Sequence, residues 1–287
     1  MDDIIIETRE LDKSWYANSA GYDPCFLGPR IELPTLPAVR RKDLAPLTDG
    51  TGYELKYTHF SILLSKSRQL AVVTAVNIDG KNLQNLKRDR DVWYFDPRVD
   101  SKYQMGPEIY KHPDIDRGHL VRRIDPVWGP DAATANEDTF HFTNCSPQHS
   151  KLNQVTWLGL EEYVLGNAKV NDLKVTVYTG PVFRADDKVY RGKYLIPAEF
   201  WKVVVMVKTD GTLSATAYIE SQRDLIANIK EFSYGEYKTY QVPVIEIQQL
   251  TALNFGKLAK NDPLGEVTAK DGGPVVLSIE GPEDLVL

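Results

Sequence analysis

The chain has 287 residues, of which 42% are hydrophobic and 26% charged, with a formal net charge of −6 and an isoelectric point of about 5.5. These totals exclude a disordered chain and are those of a soluble globular protein with material for a sizeable core. They also exclude a basic field over the whole molecule, so a polyanionic partner would be drawn only by local basic patches.

The N-terminus, "MDDIIIETRE", is acidic, and its apolar run is three isoleucines. A secretory leader needs a basic start and about 7–15 apolar residues. As written the chain is expected to be cytoplasmic, with export by a route that reads no such signal left open. The "VVVMV" run at 203–207 is too short to span a bilayer, and no membrane partner is expected. Residues 1–52 read as a Pro-rich arm, because prolines at 29, 34, 37 and 46 forbid long helices. Regular structure begins at 53. "YELKYTHFSILLS" (53–65) and "QLAVVTAVNIDG" (69–80) are rich in β-branched residues and end in turn signals, so both read as strands. A helix is expected over 146–167, with Ser146 as its cap, Pro147 in its first turn and Gly166 at its end. Residues 173–183 read as another strand. Residues 200–220 read as a hairpin around Asp210-Gly211, and 222–233 as a second helix. The expected division is an arm at 1–52, a main domain at 53–258 and an extension at 259–287. Strands and helices do not alternate strictly, and neither GxGxxG nor GxxxxGK[ST] occurs, which argues against a doubly wound nucleotide fold. The two cysteines, Cys25 and Cys145, have no spacing that demands a bridge, and two free thiols are expected.

The chemistry concentrates in "HPDIDRGHLVRR" (112–123) and "FHFTNCSPQHSKLNQVTWLGLEEY" (140–163). His119 is a natural general base near neutral pH, Arg117 a planar fork that matches phosphate oxygens, and Gly118 a place for close backbone approach. Asp116 could orient either side chain. The plain alternative is a polar surface loop that holds one ordinary histidine. On the expected helix, Asn153, Trp157 and Glu161 are spaced i, i+4, i+8 along one face. An amide and a carboxylate are hard oxygen donors of the kind magnesium accepts. Base, fork and metal amide together describe phosphodiester hydrolysis. A zinc site from Cys145, His149, His141 and His112 lacks paired ligand spacing and is disfavoured.

These residues carry a resemblance. Asp116–His119 and the block Thr143, Asn144, Pro147, Gln148, Asn153, Trp157, Leu160 and Glu161 resemble the DNA/RNA non-specific endonucleases, the ββα-metal nucleases that include endonuclease G. The likeness runs over about 53–257, and "GYDPCFLG" at 21–28 is similar to a segment that precedes the domain in some bacterial members. The resemblance implies an α+β fold: a central, mostly antiparallel sheet flanked by helices, with a ββα-metal (His-Me finger) unit. Its hairpin is expected from the strand before Asp116–His119 and a strand at 139–145. The resemblance also implies a metal-dependent endonuclease acting on DNA and RNA with little sequence preference. His119 would be its base, Asn153 the direct ligand of Mg2+ (with Mn2+ as a substitute), and Glu161 a holder of metal-bound waters. Asn144 would help position the site, Arg117 would serve phosphate or site structure, and Arg90, with Arg88 second, would stabilise the transition state. Arg122 and Arg123 extend a phosphate track or form a solvated face. A homodimer and an inhibitor or regulatory partner are further expectations. The reading from another class is a nuclease fold kept as a catalytically silent nucleic-acid-binding or assembly module. Loss of His119 or Asn153 would mark it, and both are present.

Overall fold

The computed structural model describes residues 7–88, 91–150, 166, 168–170, 172–223, 238–265, 276–279, 284 and 286. In chain order the elements are β1 (Thr8–Glu10), α1 (Ala38–Arg41), β2 (Glu54–Tyr57), β3 (Phe60–Leu64), β4 (Ala71–Asp79), β5 (Trp93–Phe95) and β6 (Ile115–His119), then α2 (Ala132–Asp138), β7 (Cys145–His149) and β8 (Lys174–Val182). They continue with β9 (Lys188–Tyr190), β10 (Tyr194–Ile196), β11 (Glu199–Val207), β12 (Leu213–Ser221), β13 (Lys238–Val242), α3 (Val244–Thr251) and β14 (Leu277–Ile279).

Eight strands form one antiparallel sheet in the order β14-β13-β12-β11-β8-β4-β3-β2. β8 ("KVTVYTGPV") and β11 ("EFWKVVVMV") are buried along most of their length, and mostly apolar, because both faces of the sheet are covered. One face buries Val76, Ile78, Val175, Val177, Phe200 and Val204 against Tyr16 of the arm and Leu120 and Val121 beyond β6. The other buries Val73, Tyr178, Trp201, Val203 and Val205 against the arm's Tyr22, Ile31, Leu36 and Leu44 and against Val244 and Ile247 of α3. The architecture is α+β, as the resemblance implies. Among the described residues no helix is long and apolar enough to cross a membrane.

The expected hairpin at 200–220 is β11–β12, turning where Gly211 takes φ 83° and Asp210 accepts from the Thr212 amide. The single strand expected at 53–65 is instead the hairpin β2–β3, broken at Thr58-His59, where His59 takes φ 70°. Residues 224–237, most of the second expected helix, lie outside the described residues.

The largest correction concerns 145–149. This segment is a strand, β7, and helix begins only at Ser150. β7 pairs antiparallel with β6 in a two-stranded ribbon, so the hairpin is made by Ile115–His119 itself and by Cys145–His149. The Ser-Pro signature of a helix start does not operate here because Pro147 needs no ladder donor. The His149 amide donates to Gln222 Oε1 (2.7 Å) and the Pro147 carbonyl accepts from Gln222 Nε2 (3.2 Å). Those contacts place the backbone polar groups of 147 and 149 on the outer edge, where proline is tolerated. Ser150, Gly166 and 168–170 are helical; residues 151–165 and 167, the rest of the expected helix, lie outside the described residues.

Candidate active site

The ribbon β6–β7 rests on a third apolar cluster that includes Trp93, Phe140, Phe142, Ile115 and Cys145. Strand alternation puts Ile115, Arg117 and His119 on one face of β6, and Asp116 and Gly118 on the other. Arg117 and His119 therefore come together, and Asp116 does not join them.

The shared wall is Trp93, almost fully buried on β5. Its ring centroid lies 5.1 Å from that of His119, and the Arg117 guanidinium carbon lies 5.2 Å from the Trp93 ring centre. Phe140 meets the imidazole edge-on at 5.2 Å. Among the described residues, three polar atoms here are buried without a hydrogen-bond partner: Trp93 Nε1, Arg117 Nε and His119 Nε2. Leaving one buried polar atom unpaired costs about 1–3 kcal/mol, and native structures keep such atoms mainly where something else binds or reacts. Burial holds the pKa of His119 down, against the Asp91 carboxylate and with help from the charges of Arg88, Arg123 and Arg117, to about 3. The residue as a whole is partly exposed while Nε2 is not. The imidazole is thus neutral at pH 7, the form that accepts a proton.

Asn144 is fully buried, and its amide is wholly engaged. Oδ1 accepts from the Val121 amide (2.9 Å), and Nδ2 donates to the carbonyls of Val121 (3.0 Å) and Thr139 (2.9 Å). Its own carbonyl accepts from the Leu120 amide (2.8 Å). It clips the chain leaving His119 to the entry of β7, which is a positioning function. Gly118 has a different reason from close approach of a ligand. A Cβ there would lie 1.8 Å from Gln148 Oε1, so glycine makes room for a fully buried glutamine whose own amide atoms lack partners.

Beside this centre opens a cleft of about 350 Å³ lined by Arg9, Arg88, Arg123, Asn136, Tyr94, Val92 and Phe140, with Glu7 and Glu137 at its walls. Phe140 belongs to both the cleft and the histidine's surroundings. Arg88 grips Asp91 through Nε (3.1 Å) and Nη2 (2.6 Å), and Arg123 donates to Asn136 Oδ1 (2.9 Å). Arg122 is half-buried next to it in sequence. Arg90, Asn153 and Glu161 lie outside the described residues. Amide and carboxylate oxygens such as theirs suit Mg2+, and among the described residues no three His, Cys, Asp or Glu side chains converge on a metal position. Cys145 is buried in the apolar cluster under Tyr110, and Cys25 is exposed; both thiols are free.

Reading the sequence missed Trp93, Gln222 and Arg9. Trp93 stands in the aromatic run "VWYFD", which was a usable signal. Gln222 and Arg9 reach the site only through long-range packing.

The model of the DNA/RNA non-specific endonuclease family matches residues 44–262. The chain belongs to that family. Among its relatives, "Uncharacterized protein y4fB" of Sinorhizobium fredii is 40% identical over 263 residues, 84% of this chain and 40% of that protein. A "Nuclease" of Nostoc sp. is 29% identical over 159 residues, 53% of this chain and 54% of that one. The chain thus spans about half or less of the length of these two relatives. Among solved structures, EndoG in its complex with EndoGI, described for the mechanism of EndoG inhibition, superposes with a TM-score of 0.58 at 19% identity, covering 74% of this chain and 89% of that one. At that identity the likeness is one of fold. The residues matched by the family, 44–262, include His119.

Proposed function

We propose that the chain is a metal-dependent endonuclease that hydrolyses phosphodiester bonds in DNA and RNA with little sequence preference. The observation that carries this reading is the cluster of unpartnered Trp93 Nε1, Arg117 Nε and His119 Nε2 around a neutral imidazole on the β6–β7 ribbon. His119 accepts a proton from a water that attacks phosphorus in line. Arg117 offers its fork to the phosphate oxygens. Trp93 and Phe140 fix the imidazole plane, and Asn144 fixes the strand end that bears it. Asn153 would hold Mg2+ and Glu161 its waters; the ion supplies neutralisation of charge on the phosphate and on the leaving 3′ oxygen. Arg90 would share that task. Phosphate contacts carry no base information, which supports low sequence preference. EndoG, the protein of similar fold, is inhibited in its complex with EndoGI, which supports an inhibitory partner for this chain as part of the same reading. A homodimer in solution is part of it as well.

The test is incubation of the full chain with supercoiled plasmid and with a folded RNA, in Mg2+ and in EDTA. Loss of both substrates in Mg2+ alone is expected. Both substrates intact in Mg2+ and in Mn2+ would overturn the enzymatic reading in favour of a silent binding module.

A further inference from the structure

The cleft beside His119 has one wall, β1 with Arg9, that no part of the nuclease reading uses. β1 runs parallel to β5, with Arg9 beside Tyr94, and so carries the N-terminal segment to the cleft's edge. Three arginines from three separate segments meet there. Among the described residues, Arg9 donates once, to Glu7 (2.7 Å); Arg88 donates twice, to Asp91; Arg123 donates once, to Asn136. A guanidinium has five N–H donors, so most of this donor capacity is left over. The neighbours that hold each fork also orient it, which lowers the entropy lost when an anion binds. Arg88 and Arg123 are close enough to repel, an arrangement that a shared anion relieves. Val92 and Phe140 supply an apolar wall of the kind a sugar or base covers.

We propose that this cleft holds the nucleotide next to the one being cut, its phosphate on Arg9, Arg88 and Arg123, and that β1 is therefore part of the substrate-binding surface. The proposal rests on the nuclease reading for the identity of the ligand. The bound group is a nucleic-acid backbone phosphate with its sugar, and the carboxylates at the walls serve as counter-ions that the phosphate displaces.

The experiment measures binding of a fluorescein-labelled single-stranded oligonucleotide to the full chain in a His119→Ala background, at several salt concentrations. Arg9 is 63% exposed, so Arg9→Ala leaves folding intact. Removing it is expected to weaken binding about three- to tenfold and to lower the salt slope by about one. Arg123→Ala should do the same. Arg9→Lys should restore the slope and only part of the affinity, since lysine keeps the charge and loses the fork. Arg30→Ala, an exposed arginine of the same arm paired to Glu32, is the control and should change neither. Arg9→Ala and Arg123→Ala binding with the control's affinity and slope would overturn the proposal, even where the wild type cuts plasmid and RNA. A wild type that binds the oligonucleotide through these arginines but cuts nothing would instead overturn the enzymatic reading alone.

Discussion

His119 is where burial and charge act on a single proton. Its folded pKa lies near 3, below the value of about 6.5 expected in the unfolded chain. Between those values the unfolded chain binds the proton and the folded chain does not. The contribution to stability is therefore complete above pH 6.5 and is lost as pH falls toward 3. Buried His141, also held below its ordinary value by burial, adds in the same direction. Urea unfolding at pH 7.5 and 4.5 should show the wild type losing more stability on acidification than His119→Gln does. The same shift should keep the base neutral and cleavage active at pH 5, where an ordinary histidine would already be protonated; a rate that falls with a midpoint near 6.5 would contradict it. Gly118 offers a second test. Gly118→Ala should cost about 1–3 kcal/mol by overpacking against Gln148, and Gln148→Ala should relieve much of that cost in the double mutant. At this scale the residues that come together on the ribbon were legible in the sequence, because Arg117, His119 and Asn144 sit in local motifs. It misjudged why Gly118 is glycine, since the reason is a side chain 30 positions away across the ribbon.

At the scale of elements, β6–β7 is a short ribbon held from both sides. Asn144 ties its inner end to Val121 and Thr139. Gln222 ties its outer edge to Pro147, His149 and Pro197. Gln222→Ala would leave the buried His149 amide without its acceptor, and a loss of about 1–3 kcal/mol is expected in chemical unfolding. Asn144→Ala should lower kcat far more than it raises KM, because it releases the strand end under His119 without touching a nucleic-acid contact. An equal rise in KM would place Asn144 in substrate binding instead. The hairpin β11–β12 was legible because Asp-Gly is a local turn signal with a fixed geometry. β7 was not, because Ser-Pro reads as a helix start, and only the distant Gln222 shows that Pro147 faces an edge with no ladder bond to make.

Across the whole molecule, the arm is built into the core. Tyr16 donates its hydroxyl proton to His141 Nε2 (2.6 Å), whose other ring nitrogen donates to the Asp138 carbonyl (2.8 Å), and the guanidinium carbon of Arg98 lies 3.7 Å from the Tyr16 ring centre. Trp15 donates to Asp138 Oδ1 (2.8 Å). Tyr16→Ala should therefore cost about 3–5 kcal/mol, as for a large core aromatic, measured by urea unfolding. The net charge of −6 gives no hint of this end of the molecule, where Arg9, Arg88, Arg117, Arg122 and Arg123 gather from distant parts of the chain. Prolines at 29, 34, 37 and 46 marked 1–52 as irregular, but not as a segment that carries Tyr16 into one core and Arg9 to the cleft. Those placements depend on contacts distant in sequence, 85 residues for Arg9 with Tyr94 and 125 for Tyr16 with His141.

The most direct test of the account is the rate of plasmid cleavage in Mg2+ by wild type and by His119→Ala, matched for fold by circular dichroism. Loss of a neutral, positioned base predicts a fall of about 10²–10⁴-fold in the variant. Cleavage by the variant within a few-fold of wild type would contradict it and remove His119 from the chemistry.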